Sequence, residues 1–166
     1  MEDEQPKRKA RNVQRLTELY PTFRARLARV IEDLESQGLR PRIQDAWRSP
    51  QKQLEAFNSG HSKLKYGFHN VTSKDGKPEA LAVDLLDDNS PADEGREYLL
   101  RLAAAAESQG LVTGIRWGLE PAFRTAIDNA IAARDWTSKV KIGWDPAHVE
   151  PTGITPAQAK QGSRPA

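Results

Sequence analysis

The chain of 166 residues contains no cysteine. Disulfides, thiolate nucleophiles and cysteine-based metal sites are therefore excluded, and any bound metal needs histidine and carboxylate ligands. No apolar run approaches the ~18 residues required to cross a bilayer. Basic residues occur in the opening segment MEDEQPKRKARN, but no apolar stretch follows them, so it does not read as a secretory signal. Charge of one sign is also lacking: 25 Lys and Arg stand against 23 Asp and Glu, a net charge of +2. Bulk charge thus gives little support for a nucleic-acid partner, and PKRKAR (6–11) reads as a solvated tail. There is no internal repeat.

What is present reads as one domain of the α+β class, with helices packed on a small antiparallel sheet. We expect a flexible N-terminus over 1–12, a single domain over 13–155 and a flexible tail over 156–166. Val13, Leu16, Leu19, Phe23, Leu27, Val30, Ile31 and Leu34 recur at helical spacing up to Gly38, with Pro21 dividing a short helical turn from a longer helix. PRIQDAWR (41–48) reads as extended. Ser49 and Pro50 suit the start of a helix that Gly60 closes. Residues 61–79 read as loop, and ALAVDLL (80–86) as a buried strand. A helix with a Ser-Pro start is expected over 90–110, a strand at GIRWG (114–118), a helix over 121–136, and a last strand and turn from KIGWD to HVEP.

Only three histidines occur: His61, His69 and His148. His148 lies in GWDPAHVEP, three residues after Asp145, and His69 lies in YGFHN. Asp84 is an acid inside an apolar run, so it needs a cation, a nest of hydrogen bonds or a metal. Two imidazoles and one carboxylate suit Zn²⁺, with the fourth position left to water as in a catalytic site. Asp145 is then the candidate base for that water. No HExxH segment is present, so the common helical metalloprotease motif is excluded.

Three segments in order, AWRSPQKQ (46–53), FHN with LAVDL, and WDPAHVE, resemble a known family. It comprises the zinc D-alanyl-D-alanine carboxypeptidases and L-alanyl-D-glutamate endopeptidases, phage endolysins included, whose fold is shared with the hedgehog signalling domain. The resemblance spans residues 46 to 150 and implies zinc ligands His69, Asp84 and His148, with Asp145 as general base. It adds Arg48 as the cation that steadies the oxyanion, Gln53 at a matching position of undefined role, and Glu150 as an acid that orients a ligand or binds a substrate amine. Three departures are visible. His69 and Asp84 are fifteen residues apart where the family has seven, which implies a hairpin-like excursion over VTSKDGKPEA with Asp87 and Asp88 as rival ligands. Gly67 stands where the family has serine, and the helical segment 119–141 is longer than in small endolysins. His61 reads as surface. Trp47, Trp117 and Trp144 lie beside site elements as core or groove, and Trp136 reads as packing.

The resemblance implies a monomeric zinc peptidase acting on peptidoglycan stem peptides, without nucleic acid and without membrane insertion. The mild basicity suits such an anionic polymer. Cleavage between L-Ala and D-Glu, as in a phage-type endolysin, is expected, with D-alanyl-D-alanine carboxypeptidase activity as the alternative. Such an enzyme, made in the cytoplasm without a signal peptide, acts on the cell wall. A non-catalytic, zinc-containing wall-binding module is the reading of another class. Asp145 speaks against it, because a structural zinc needs no base.

Overall fold

Four short strands form one antiparallel sheet in the order β1-β2-β4-β3, where β1 is Pro41–Asp45, β2 Val83–Asp87, β3 Leu111–Gly114 and β4 Asp145–Pro151. The computed structural model describes residues 4–90 and 95–166. Among these residues six α-helices accompany the sheet: α1 Glu4–Leu16, α2 Pro21–Ser36, α3 Pro50–Asn58, α4 Arg96–Ser108, α5 Pro121–Ala132 and α6 Pro156–Lys160. The α+β class expected from the sequence is the one observed. Among the described residues, no helix is long and apolar enough to cross a membrane.

Strand periodicity sorts the two faces of the sheet. Ile43, Val83, Leu85, Leu111 and Val149 are buried with Leu27, Val30 and Leu34 of α2 and Leu99, Leu102 and Ala103 of α4. Asp84 on β2 and His148 and Glu150 on β4 alternate with those core residues. In the β2–β4 pair, Asp84 is directly opposite His148. Helices α2 and α4 thus cover one face, and the polar residues of the central strands meet on the other.

Several expectations hold. Ser49 caps α3, accepting from Lys52 N at 3.1 Å, and Gly60 ends that segment at φ +80°. Pro21 opens α2. The excursion after His69 is a hairpin: Thr72 bridges Pro78, and Gly76 turns it at φ +80°.

Others need correction. Residues 4–12, expected to be flexible, belong to α1, which docks through polar groups rather than an apolar stripe. Asn12 accepts from Ile43 N and donates to Pro41 O, both at 2.9 Å, while Arg11 Nε donates to Ile43 O at 2.9 Å. Arg8 donates to Pro41 O at 2.7 Å and pairs with Glu35 at 2.7 Å. These side chains satisfy the backbone of edge strand β1 and close it to further pairing. The tail over 156–166 is also placed. Thr155 and Gln158 cap α6 reciprocally, and Arg164 binds Glu79 at 2.8 Å and Thr72 O at 3.1 Å. The strand expected at 114–118 is instead Leu111–Gly114, because the chain shifts register between Thr113 and Gly114 and turns away. The last helix before β4 stops at Ala132, and the strand itself begins only at Asp145. The Ser-Pro start expected for α4 falls mostly on 91–94, outside the described residues; the helix runs from Arg96.

Candidate metal and catalytic site

His69 sits in a 3-10 turn, Phe68–Asn70, which the preceding segment holds through three hydrogen bonds. The His69 ring donates from Nδ1 to Ala46 O at 2.7 Å, Arg48 N donates to His69 O at 2.9 Å, and Asn70 Nδ2 donates to Arg48 O at 2.9 Å. A carbonyl only accepts, so Nδ1 carries the hydrogen and Nε2 keeps its lone pair. That Nε2 lies 3.7 Å from Asp84 Oδ2.

His148 is held in the mirror-image manner. Its Nε2 donates to Glu150 Oε1 at 2.8 Å, while Nδ1 lies 3.5 Å from Asp84 Oδ1 and 3.8 Å from Asp145 Oδ2. The two rings stand edge to face with centroids 5.4 Å apart. One ligand atom from each of His69, Asp84 and His148 falls within a 4.8 Å cluster. Each imidazole has its outer nitrogen engaged and its inner nitrogen directed at Asp84. Such outer partners fix ring orientation at metal sites, and an N, N, O donor set suits zinc. The residues present fit one such ion.

Electrostatics agree with a cation at this point. Burial opposes ionisation of Asp84, but His148, His69 and Arg48 outweigh it and hold the carboxyl below its ordinary value. Burial likewise opposes charge on His148, yet the carboxylates of Asp84 and Glu150 push its pKa up to about 9. Burial raises the Asp145 carboxyl, and nearby Asp84 and Glu150 add to that rise against the two histidines. Without a metal, a proton occupies the place between these groups at neutral pH.

A zinc ion at this cluster would compete with that proton for His148. Apparent zinc affinity is expected to rise about tenfold for each pH unit between 7 and 9 and then to level off. Stability of the zinc-free protein should move the other way. The His148 contribution is complete below the unfolded value of 6.5 and disappears as pH rises through about 9. Chelator-buffered zinc titrations and melting curves across that range check both signs; a flat affinity profile would place the competing proton elsewhere.

The remaining residues singled out in the sequence surround this cluster. Arg48, at the end of the segment carrying Ala46, donates from Nη1 to Gln53 Oε1 at 3.3 Å. Gln53, on α3, is only 7% exposed. Its Nε2 donates to Ser62 Oγ at 2.9 Å and Leu64 O at 2.7 Å, which fixes the amide with its oxygen toward Arg48. Asp87 and Asp88, the rival ligands, are at the far end of β2, where Asp88 pairs with Arg40 and Arg42 at 3.6 and 3.5 Å. His61 is exposed and contacts Ser59. Trp47 donates to Thr72 Oγ1 at 3.3 Å, and Trp136 lies beneath Arg101. The sequence reading missed the Ala46 carbonyl and Asn70; a backbone acceptor leaves no residue signature.

Asp145 is positioned by glycines. A Cβ on Gly114 would collide with the Asp145 carbonyl, and one on Gly143 would come within 2.6 Å of Gly114 O, Ile115 O and Trp117 N. The bonds Gly143 N to Ile115 O, 2.6 Å, and Trp144 N to Trp117 O, 3.1 Å, complete this close approach. Gly114→Ala is expected to cost about 1–3 kcal/mol, the range for overpacking a tight interior. A melting temperature equal to the parent's would show that the β3–β4 contact yields freely.

The cluster opens into a groove of about 900 Å³ lined by Arg48, Lys52 and Lys63 and by Trp117, Trp144, Asp145 and Glu150, among others. No family model and no curated protein matches the chain. Among solved structures it is similar to the crystal structure of the L-Ala D-Glu endopeptidase ChiX of Serratia marcescens. The two are 20% identical over 86% of this chain and 87% of that one, with a TM-score of 0.47. The likeness is a partial one, of fold alone.

Proposed function

We propose that this chain is a zinc-dependent peptidase of peptidoglycan stem peptides that cleaves between L-Ala and D-Glu. The observation that carries the reading is the convergence of two oriented imidazoles on Asp84, with a fourth group, Asp145, beside them and Arg48 lining the same groove. His69, Asp84 and His148 would hold the ion. Bound there, zinc would lower the pKa of a water toward ~7 and polarise the scissile carbonyl. Asp145 accepts the proton of the attacking water and passes it to the leaving amine. Arg48, steadied by Gln53, stabilises the negative charge that develops on the carbonyl oxygen. Glu150 keeps His148 in the ring orientation that the site needs.

The choice of wall peptide rests on the ordered motifs around Arg48, His69 and His148 and on the basic groove wall, which suits a substrate bearing free carboxylates. Incubation with purified sacculi should lower turbidity and produce fragments with a new D-Glu amino terminus by mass spectrometry. Release of D-Ala alone, with turbidity unchanged, would establish the carboxypeptidase alternative. Absence of any new amino terminus from zinc-loaded protein would leave the wall-binding module as the reading.

A further inference from the structure

We propose that Trp144 forms a sugar-stacking subsite through which the enzyme reads the muramoyl sugar at the head of the stem, an inference that rests on the L-Ala–D-Glu reading above. Trp144 is 72% exposed, an unusual state for the largest apolar side chain. It is nevertheless built in place. Its backbone N–H donates to Trp117 O at 3.1 Å, and Gly118, at φ +77°, leaves room where a Cβ would stand 3.0 Å from the indole. The ring leans on Trp117 at 5.5 Å between centroids, and Trp117 leans on His148 at 5.2 Å. An indole with a supported edge and a wet face therefore lies two ring-to-ring steps from the metal cluster.

Two sets of residues in the groove differ in chemistry, and so do the two halves of the substrate. Of the residues that line the groove, Arg48, Lys52 and Lys63 come from α3 and the segments flanking it, while Trp117, Trp144, Asp145 and Glu150 come from β4 and the turns packed beside it. Cleavage between L-Ala and D-Glu leaves a half that begins with D-Glu and carries free carboxylates, which match the cations. The other half is L-Ala joined through a lactyl link to N-acetylmuramic acid and, before cleavage, has no free carboxylate. Electrostatics sends the carboxylate-bearing half to the basic set and the sugar-bearing half to the aromatic, acidic one. One residue plus the lactyl link spans roughly 7 Å when extended, which brings the pyranose within reach of the indole. One face of a pyranose presents C–H bonds, and these pack against the negative face of an aromatic ring.

The test compares two peptides with the same stem, one capped by N-acetylmuramic acid and one by acetyl, so that charge is equal. The parent should prefer the muramoyl substrate in kcat/KM by about tenfold, the upper scale of one aromatic contact. Trp144→Ala should reduce that preference to about twofold or less, and Trp144→Phe should keep most of it. Independently of turnover, zinc-free protein titrated with N-acetylmuramoyl-L-alanine should bind it calorimetrically, and Trp144→Ala should not. Equal loss on both peptides, or a parent without preference, would overturn the subsite. If neither peptide is cut, the underlying cleavage reading fails, and the titration alone decides: binding unchanged by Trp144→Ala rejects the sugar contact, and binding abolished by it upholds the contact.

Discussion

Asp145→Asn is expected to fold and bind zinc as the parent does while its hydrolysis of wall peptide falls by roughly two to four orders of magnitude. The substitution preserves shape and removes the proposed proton acceptor. Asp145 stands apart from the three-residue cluster: His148 Nδ1 is 3.5 Å from Asp84 but 3.8 Å from Asp145, and the Asp145 side chain is 36% exposed against 27% for Asp84. Its carboxyl is raised by burial and by the acids near it, a shift that favours receiving a proton. Single-turnover cleavage of a stem peptide, beside elemental analysis of the same preparation, separates the two roles. An Asp145→Asn protein as active as the parent would eliminate the proposed base, and one that has lost its zinc would make Asp145 a ligand.

The parent is expected to retain zinc through purification without added metal, and His148→Ala to lose most of it. A three-ligand site that loses an imidazole has two donors left, Asp84 and His69, on elements that no longer share a third tie. The variant also leaves Glu150 without its 2.8 Å partner in a part-buried position, so some destabilisation of the zinc-free fold accompanies the loss. Glu150→Gln supplies the control. It keeps a hydrogen-bond acceptor for Nε2 and should retain zinc at an affinity reduced by about 10- to 100-fold, as for loss of an outer carboxylate partner. Full zinc occupancy in His148→Ala would move the metal to other residues.

Sequence patterns made the central strands and most helices legible because their cause is local: apolar spacing, Ser49 and Pro50 at a helix start, glycine at its end. The segments that were misread owe their structure to contacts remote in sequence. Helix α1 is held by Arg8, Arg11 and Asn12 reaching the backbone of β1, and such polar docking leaves no apolar stripe to recognise. Arg164 ties the tail to Glu79 and Thr72 across the whole chain. The displaced strand β3 reflects a bulge that forms only when β4 lies beside it. At the site, motif order singled out the residues that the fold brings together. The orientation of the His69 ring and of Arg48 was invisible, because the contacts with Ala46 O and with Gln53 are tertiary products.

The hairpin between His69 and Asp84 has a practical consequence for protein engineering. Its two arms are joined at the base by Glu79 N to Val71 O, 2.9 Å, and the next bond inward, Leu81 N to Phe68 O at 2.9 Å, belongs to the site's own frame. Beyond the Thr72–Pro78 bridge, the tip closes on itself through Ser73 N to Lys77 O at 2.8 Å and Gly76 N to Ser73 O at 3.0 Å. Residues 74–77, distal to that bridge, are exposed. Because closing a longer loop adds only about 0.6 kcal/mol per doubling of its length, the Lys74–Asp75 junction is a natural port for grafting. A peptide epitope or a small folded module spliced there would ride on the protein without touching the separation between His69 and Asp84.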